Sequence, residues 1–129
     1  MPDTHASGAY GVYLAAAELA SRAFIVTITA RNAPAADLLV TDRKCRRAFT
    51  VQVKTQKKNP NFWLVGKAAE NISSPSHVYI LINLCDGKPC FYVVPSAVVR
   101  RRTASNNGKW HSFARDERYR GNWKLFGKP

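Results

Sequence analysis

Three polar residues in two neighbouring apolar runs have side chains that could act together. Asp37 directly precedes the apolar run at residues 38–41, and Gln52 and Lys54 lie within the second run at residues 49–55. Both runs are rich in β-branched and apolar residues, which predicts strands. Because side chains alternate between the two faces of a strand, Gln52 and Lys54 share one face.

The short basic stretch between the runs, residues 42–47, predicts that the two strands pair directly. Thr41 then faces Ala48, and counting back along both strands brings Asp37 opposite Gln52. A carboxylate, an amide and an ammonium are thereby expected to converge on one region of the sheet.

Those groups suit the cleavage of a phosphodiester. Oxygen atoms of an Asp carboxylate and of a Gln amide can hold a hard divalent cation. A lysine close by can neutralise a phosphate or orient a water molecule. The pattern therefore predicts a phosphodiester-cleaving centre at Asp37, Gln52 and Lys54.

Charge indicates the class of partner. Twenty Lys and Arg against eight Asp and Glu give a formal charge of +12, which favours a polyanion, nucleic acid first. Ribosome-associated and membrane-surface proteins are also basic. Lys57 and Lys58 lie just beyond the proposed site and suit phosphate contacts better than the connection at residues 42–47, which a solvated loop would also explain. The residues assigned to nucleic-acid contacts are Arg31, Lys57, Lys58, Arg100, Arg101 and Arg102.

Length and apolar content predict one domain over residues 1–129, with a polar leader at residues 1–8. At 129 residues and 46% apolar composition the chain can enclose a single core. No apolar run approaches the ~20 residues of a membrane span, and signal-peptide features are absent, so we expect a cytoplasmic protein. Cys45, Cys85 and Cys90 are then expected to be free thiols, with a Cys85–Cys90 disulfide as the alternative.

The remaining patterns predict an α/β fold with a mixed central sheet flanked by helices. The expected elements are a helix at residues 9–23, an interior strand at 24–29 beside the Asp37 strand, an edge strand at 62–65, a hairpin of 78–84 and 91–94, a short helix from 95, a polar loop at 103–108 and a helix or turn at 110–126 packed back by Trp123 and Phe126.

This order of parts resembles the PD-(D/E)XK nuclease superfamily, especially its Holliday-junction-resolvase-like and restriction-endonuclease-like members, from about Gly11 to Tyr92. In that superfamily a metal-binding Asp on one strand is followed by an acidic or amide residue, any residue, and Lys on the next. The resemblance implies a restriction-endonuclease-like core in which Asp37 binds Mg²⁺ or Mn²⁺. It also implies that the Gln52 side chain and the Val53 carbonyl complete the metal site, and that Lys54 positions or activates the attacking water.

Two departures from the family pattern concern negative charge. Gln52 stands where Glu is common, and Val12 follows Gly11 where related helices often carry Glu. Glu18 is the only carboxylate on the predicted helix and is retained as a candidate catalytic residue. It follows Val12 by six residues, which at ~100° each place it about 120° around the helix axis, so it does not simply replace a side chain at the Val12 position. Its spacing also suits an ion pair with Arg22.

Each site residue also has a purely structural interpretation. Asp37 could cap the turn after Pro34, and Lys54 could be a snorkelling edge residue. The leading hypothesis is a metal-dependent DNA endonuclease. Analogy with the resembled family suggests branched or otherwise structured DNA as its substrate, and the small size of the chain suggests a homodimer. The alternatives are a catalytically inactive nuclease-like DNA-binding or assembly module and, third, an RNA- or ribosome-binding protein.

Overall fold

The computed structural model describes residues 4–30, 35–66, 69, 71–106 and 110–129. Within them lie two α-helices, eight strands and two short 3₁₀ turns near the C-terminus. In chain order these elements are α1 Thr4–Ser21, β1 Ile25–Ile28, β2 Leu38–Thr41, β3 Ala48–Gln56, β4 Phe62–Leu64, β5 His77–Asn83, β6 Cys90–Pro95, α2 Ser96–Arg102, β7 Ala104–Asn106, β8 Trp110–Ala114 and the 3₁₀ turns Glu117–Tyr119 and Trp123–Phe126.

The main sheet has five strands in the order β1-β2-β3-β5-β6. Only the central pair, β3 and β5, is parallel, while the other neighbouring pairs are antiparallel. In the β2–β3 hairpin Thr41 faces Ala48, as the sequence predicts. The hairpin of β5 and β6 is also confirmed. The central sheet is therefore mixed, as expected.

Each face of the sheet is covered by a separate apolar core. On one face α1 packs through Ala15 and Leu19 onto Val51 and Val53 of β3, together with Phe126 from the C-terminal segment. On the other face lies a second core. It is formed by the residues of β5 and β6 that point away from α1, by α2 and by a three-stranded sheet of order β4-β8-β7. Every residue of β5 is buried, because this strand lies between the two cores.

The position of β1 differs from the prediction. Residues 24–29 were expected to form an interior strand, but β1 is an edge strand of the main sheet, and Ile25, Thr27 and Ile28 are exposed. Apolar, β-branched composition indicates a strand without indicating where in a sheet it pairs. Its predicted neighbour, β2, is correct.

The helix and the C-terminal region also correct the prediction. Helix α1 begins at Thr4, so most of the leader predicted at residues 1–8 is helical. The loop predicted at 103–108 contains β7, with residues 107 and 108 outside the described part. Residues 110–114 form β8 instead of a helix or turn, because they pair with the distant β4. Trp123 and Phe126 are buried, as expected.

No helix among the described residues is long and apolar enough to cross a membrane. The three cysteines are free thiols, and Cys45 is exposed at the β2–β3 connection.

Candidate active site

The Asp37 carboxylate lies against β3 at the end of the β2–β3 ladder. Its Oδ2 accepts hydrogen bonds from Gln52 Nε2 at 2.9 Å and from the Val53 backbone N–H at 2.8 Å. Its backbone N–H donates to the Val51 carbonyl at 2.7 Å, and its carbonyl accepts from Thr29 N at 3.0 Å. Strands on both sides therefore fix the position of Asp37, and within the described residues its carboxylate bonds to β3 and not to the turn before it.

Alternation along β3 places Gln52 and Lys54 on the face opposite α1. Val51 and Val53 are buried in the core under the helix, while Gln52 and Lys54 are half-buried. Thr55 continues the helix-facing set, since its hydroxyl meets the α1 backbone at Gly11. The period of two that the sequence predicts is thus the period that the packing shows.

The end of the ladder leaves a further oxygen near Asp37. The last β2–β3 pair is Leu38 with Val51, and the Val51 carbonyl bonds back to Asp37 N. Backbone groups of residues two apart point to the same edge of a strand. The Val53 carbonyl therefore lies at the edge whose N–H already bonds the Asp37 carboxylate.

The oxygen atoms of Asp37, Gln52 and Val53 are of the chemical types that bind a hard divalent cation. A carboxylate, an amide oxygen and a backbone carbonyl are the oxygen ligands that Mg²⁺ and Mn²⁺ accept. In the structure the Gln52 amide turns its NH₂ group to Asp37, so a half-turn of the amide is needed to present Oε1 instead. Asp37 supplies the single formal negative charge of the set, and the described residues contain no cluster of three His, Cys, Asp or Glu that could hold a metal.

Lys54 stands two residues beyond Gln52 on the same face. Its side chain is half-buried, and no ion pair joins it to an acidic group in the described part of the chain. No acidic group in that part of the chain therefore fixes the Lys54 ammonium.

Glu18 is not brought to this group. It lies on α1, which packs on the opposite side of the sheet from the Gln52 side chain. Its Oε2 accepts from Arg22 Nε at 2.9 Å, the ion pair that the spacing suggested. The Arg22 guanidinium is in turn 4.7 Å from the centre of the Trp123 ring. These contacts hold Glu18 in the helix surface.

The cations assigned to nucleic acid fall into different environments. Lys57 and Lys58 follow the end of β3 directly, with Lys58 exposed. Arg100 and Arg101 are exposed on the last turn of α2. Arg102 instead bonds the Asp116 carboxylate at 2.7 Å. Arg31 lies outside the described residues.

Two residues of β5 beside the candidate site were not identified from the sequence. Tyr79 is the direct neighbour of Gln52 in the parallel pair, and burial raises the pKa of its phenol. His77 pairs with Thr50, and its Nδ1 lies 3.0 Å from the Thr50 hydroxyl oxygen. Burial lowers the pKa of His77, and its Nε2 is buried with no partner among the described residues. No local pattern signals these neighbours, because they depend on the register of two distant parallel strands.

Comparison with known proteins identifies the fold. No family model matches the chain, and no curated protein matches it. Among solved structures, the bacterial homing endonuclease I-Ssp6803I is similar at 18% identity and a TM-score of 0.64, over 97% of this chain and 91% of that one. Hjc, a Holliday junction resolvase from Archaeoglobus fulgidus, is similar at 14% identity and a TM-score of 0.56, over 87% of this chain and 86% of that one.

The chain therefore has a restriction-endonuclease-like α/β fold, and the predicted fold class is confirmed. The two similar structures are a homing endonuclease and a Holliday junction resolvase, and the structural likeness covers 97% and 87% of this chain.

Proposed function

We propose that this protein is a metal-dependent DNA endonuclease that hydrolyses phosphodiester bonds. The observation that carries the proposal is the contact of Asp37 Oδ2 with Gln52 Nε2 and Val53 N, at 2.9 and 2.8 Å, in a fold shared with two nucleases. The carboxylate lies at the end of the β2–β3 ladder, where oxygen atoms of two strands that could bind a metal come close together.

Each residue has a role in this proposal. Asp37, the amide oxygen of Gln52 and the Val53 carbonyl would hold Mg²⁺ or Mn²⁺. The ion, when bound, supplies electrostatic stabilisation of the charge that develops on the phosphate oxygens. Lys54 orients the attacking water or neutralises the phosphate, and no ion pair with an acid in the described part of the chain competes for it.

DNA is the proposed substrate. The charge of +12 favours a polyanion, and the similar structures are a homing endonuclease and a Holliday junction resolvase. By this analogy branched or otherwise structured DNA is the form to test first. A homodimer is proposed as the working unit, because paired cuts need two centres and one small domain carries one.

A specific observation favours a second candidate, a nuclease-like DNA-binding or assembly module without catalysis. Gln52 replaces the carboxylate common at its position, Val12 stands on α1 where related helices carry Glu, and Glu18 is paired with Arg22. Asp37 is then the sole anionic ligand of the group, which weakens attraction for a divalent cation.

Nicking of supercoiled DNA and cleavage of a four-way junction, each with Mg²⁺ or Mn²⁺, separate the two candidates. We expect Asp37→Asn and Lys54→Ala to abolish cleavage while DNA binding persists. Glu18→Gln is the matched control for Asp37→Asn, because each change replaces a carboxylate by its amide, and it should leave cleavage unchanged. Cleavage that survives Asp37→Asn would overturn the assigned site. Wild-type protein that binds DNA and cleaves none of these substrates would establish the binding module instead.

A further inference from the structure

We propose that the connection between β2 and β3, residues 42–47, is a preformed anchor for the phosphate backbone of duplex DNA. We call these residues the hairpin tip. The inference rests on the proposed function, since the tip would hold the same DNA that the candidate site cleaves. It assigns a role to three cations that the sequence alone leaves as a solvated loop.

The hairpin tip is ordered by a buried carboxylate. Asp42 is 7% exposed, and its Oδ1 accepts the backbone N–H groups of Arg46 and Arg47, each at 2.8 Å. The Cys45 N–H donates to the Asp42 carbonyl at 3.0 Å. These bonds fix the tip before any ligand arrives, so binding loses less conformational entropy than it would in a flexible loop.

A second contact fastens the base of the tip to the C-terminal segment. The Arg47 guanidinium donates to the carbonyls of Phe126, at 3.0 Å, and of Lys128. It lies so close to Gly127 that a Cβ there would stand 1.8 Å from Arg47 Nη1. Phe126 is itself fully buried among the core aromatics. Arg47 therefore serves structure, and the other cations of the tip are held on a rigid base.

Those other cations carry uncompensated charge. Arg43, Lys44 and Arg46 are exposed, and no ion pair joins them to an acid within the described ranges. Near the C-terminus the arginines instead have acidic partners, because two acids there bind four of them. Asp116 pairs with Arg102 and Arg118, and Glu117 pairs with Arg115 and Arg120. The exposed cations of the hairpin tip therefore lack the acidic partners that the arginines around Asp116 and Glu117 have.

The spacing along β3 fits a duplex. The strand runs from Ala48 to Gln52 to Gln56 in equal steps, so Gln52 is its midpoint. At ~3.3 Å per residue the whole strand spans about 26 Å. The hairpin tip precedes this strand, and Lys57 and Lys58 follow it, so the two cationic groups lie on either side of the candidate site. The distance between the two groups is close to one turn of duplex DNA, ~34 Å. A fixed separation of this size suits a stiff double helix better than a flexible single strand.

The test measures binding of a labelled duplex of about 20 base pairs, two helical turns, in EDTA across ~50 to 200 mM KCl. The variant is Arg43→Gln/Arg46→Gln. Its control is Arg115→Gln/Arg118→Gln, which removes the same charge from arginines paired with Glu117 and Asp116. That control site lies against β6, the edge strand of the main sheet that is separated from β2 by β3 and β5. All four side chains are exposed, and thermal melting confirms that both proteins are folded.

We expect the tip variant to bind more weakly and its slope of log K against log salt to fall in magnitude by about 2, while the control keeps the wild-type slope. Equal losses in both variants would show an effect of net charge alone and overturn the inference. If the tip variant lost as much affinity for a single-stranded RNA of the same length as it loses for duplex DNA, the assignment to duplex DNA would be overturned. A wild-type protein that binds no duplex would overturn it as well.

Failure of the proposed function gives a different result. Wild-type protein that binds duplex through the tip but cleaves nothing with Mg²⁺ or Mn²⁺ would refute the endonuclease and leave the anchor established. A wild-type nuclease whose tip variant binds like the control would refute the anchor alone.

Discussion

Gly11 of α1 and Thr55 of β3 are in direct contact, so close that a Cβ at Gly11 would stand 1.9 Å from the Thr55 hydroxyl oxygen. This contact seats the helix on the strand next to the candidate lysine. With Thr55 turned to α1, alternation turns Lys54 to the other face, where Gln52 meets Asp37. A glycine in the helix thus helps to set which face of β3 carries the polar groups.

The first prediction follows from that contact. Gly11→Ala should lower the free energy of unfolding by about 1–3 kcal/mol, because the added methyl group forces the helix away from the strand. Urea denaturation measures the change. Gly8→Ala is the matched control, since a Cβ at Gly8 meets nothing within 4 Å, and there alanine should stabilise α1 by up to ~1 kcal/mol. A destabilisation of the same size at both positions would contradict the role given to the contact.

A second prediction concerns the charge of the candidate metal site. Gln52→Glu places a second carboxylate against Asp37 and removes the amide donor that bonds it. Without metal the two anions repel, so the melting temperature should fall. Mn²⁺ should raise it again more than in the wild type, because a cation that binds the folded state stabilises it. Gln56→Glu adds the same charge two positions beyond Lys54 on the same face and should show no such response. Equal Mn²⁺ responses in the two variants would argue against a metal site at Asp37.

A third prediction concerns pH and the hairpin tip. Hydrogen bonds from the backbone N–H of Arg47, and then of Arg46, lower the pKa of Asp42 below its ordinary value. A carboxyl whose folded pKa is lowered stabilises the protein above its unfolded pKa, ~3.9, and loses that contribution as pH falls through the folded value. Asp42→Asn should therefore be less stable than wild type near neutral pH, and the gap should close in that acidic window. Urea denaturation at several pH values measures it, and a gap independent of pH would show that the charge of Asp42 is not involved.

The candidate site was predictable because it is almost entirely local. Asp37 and Gln52 belong to one hairpin, whose short connection and alternating side chains fix the register. Thr41 opposite Ala48 follows from counting residues. The Glu18–Arg22 ion pair was equally predictable, since residues four apart on a helix are neighbours.

Contacts between distant segments were not predictable in this way. The sequence of β1 shows a strand but not that it forms the edge, and the pairing of β8 with β4 joins segments about fifty residues apart. Tyr79 beside Gln52 depends on the parallel register of β3 and β5.

By itself, the amino-acid sequence determined the β2–β3 hairpin, the face shared by Gln52 and Lys54, and the strongly basic character of the chain. Periodicity and charge are properties of neighbouring residues, so they can be recognised without knowledge of the rest of the molecule. The tertiary structure alone decided that Glu18 lies across the sheet from Asp37, that Arg47 binds the C-terminal segment, and that His77 and Tyr79 border the site. Those relationships arise where segments far apart in the chain pack against each other, and local sequence patterns carry no record of that packing.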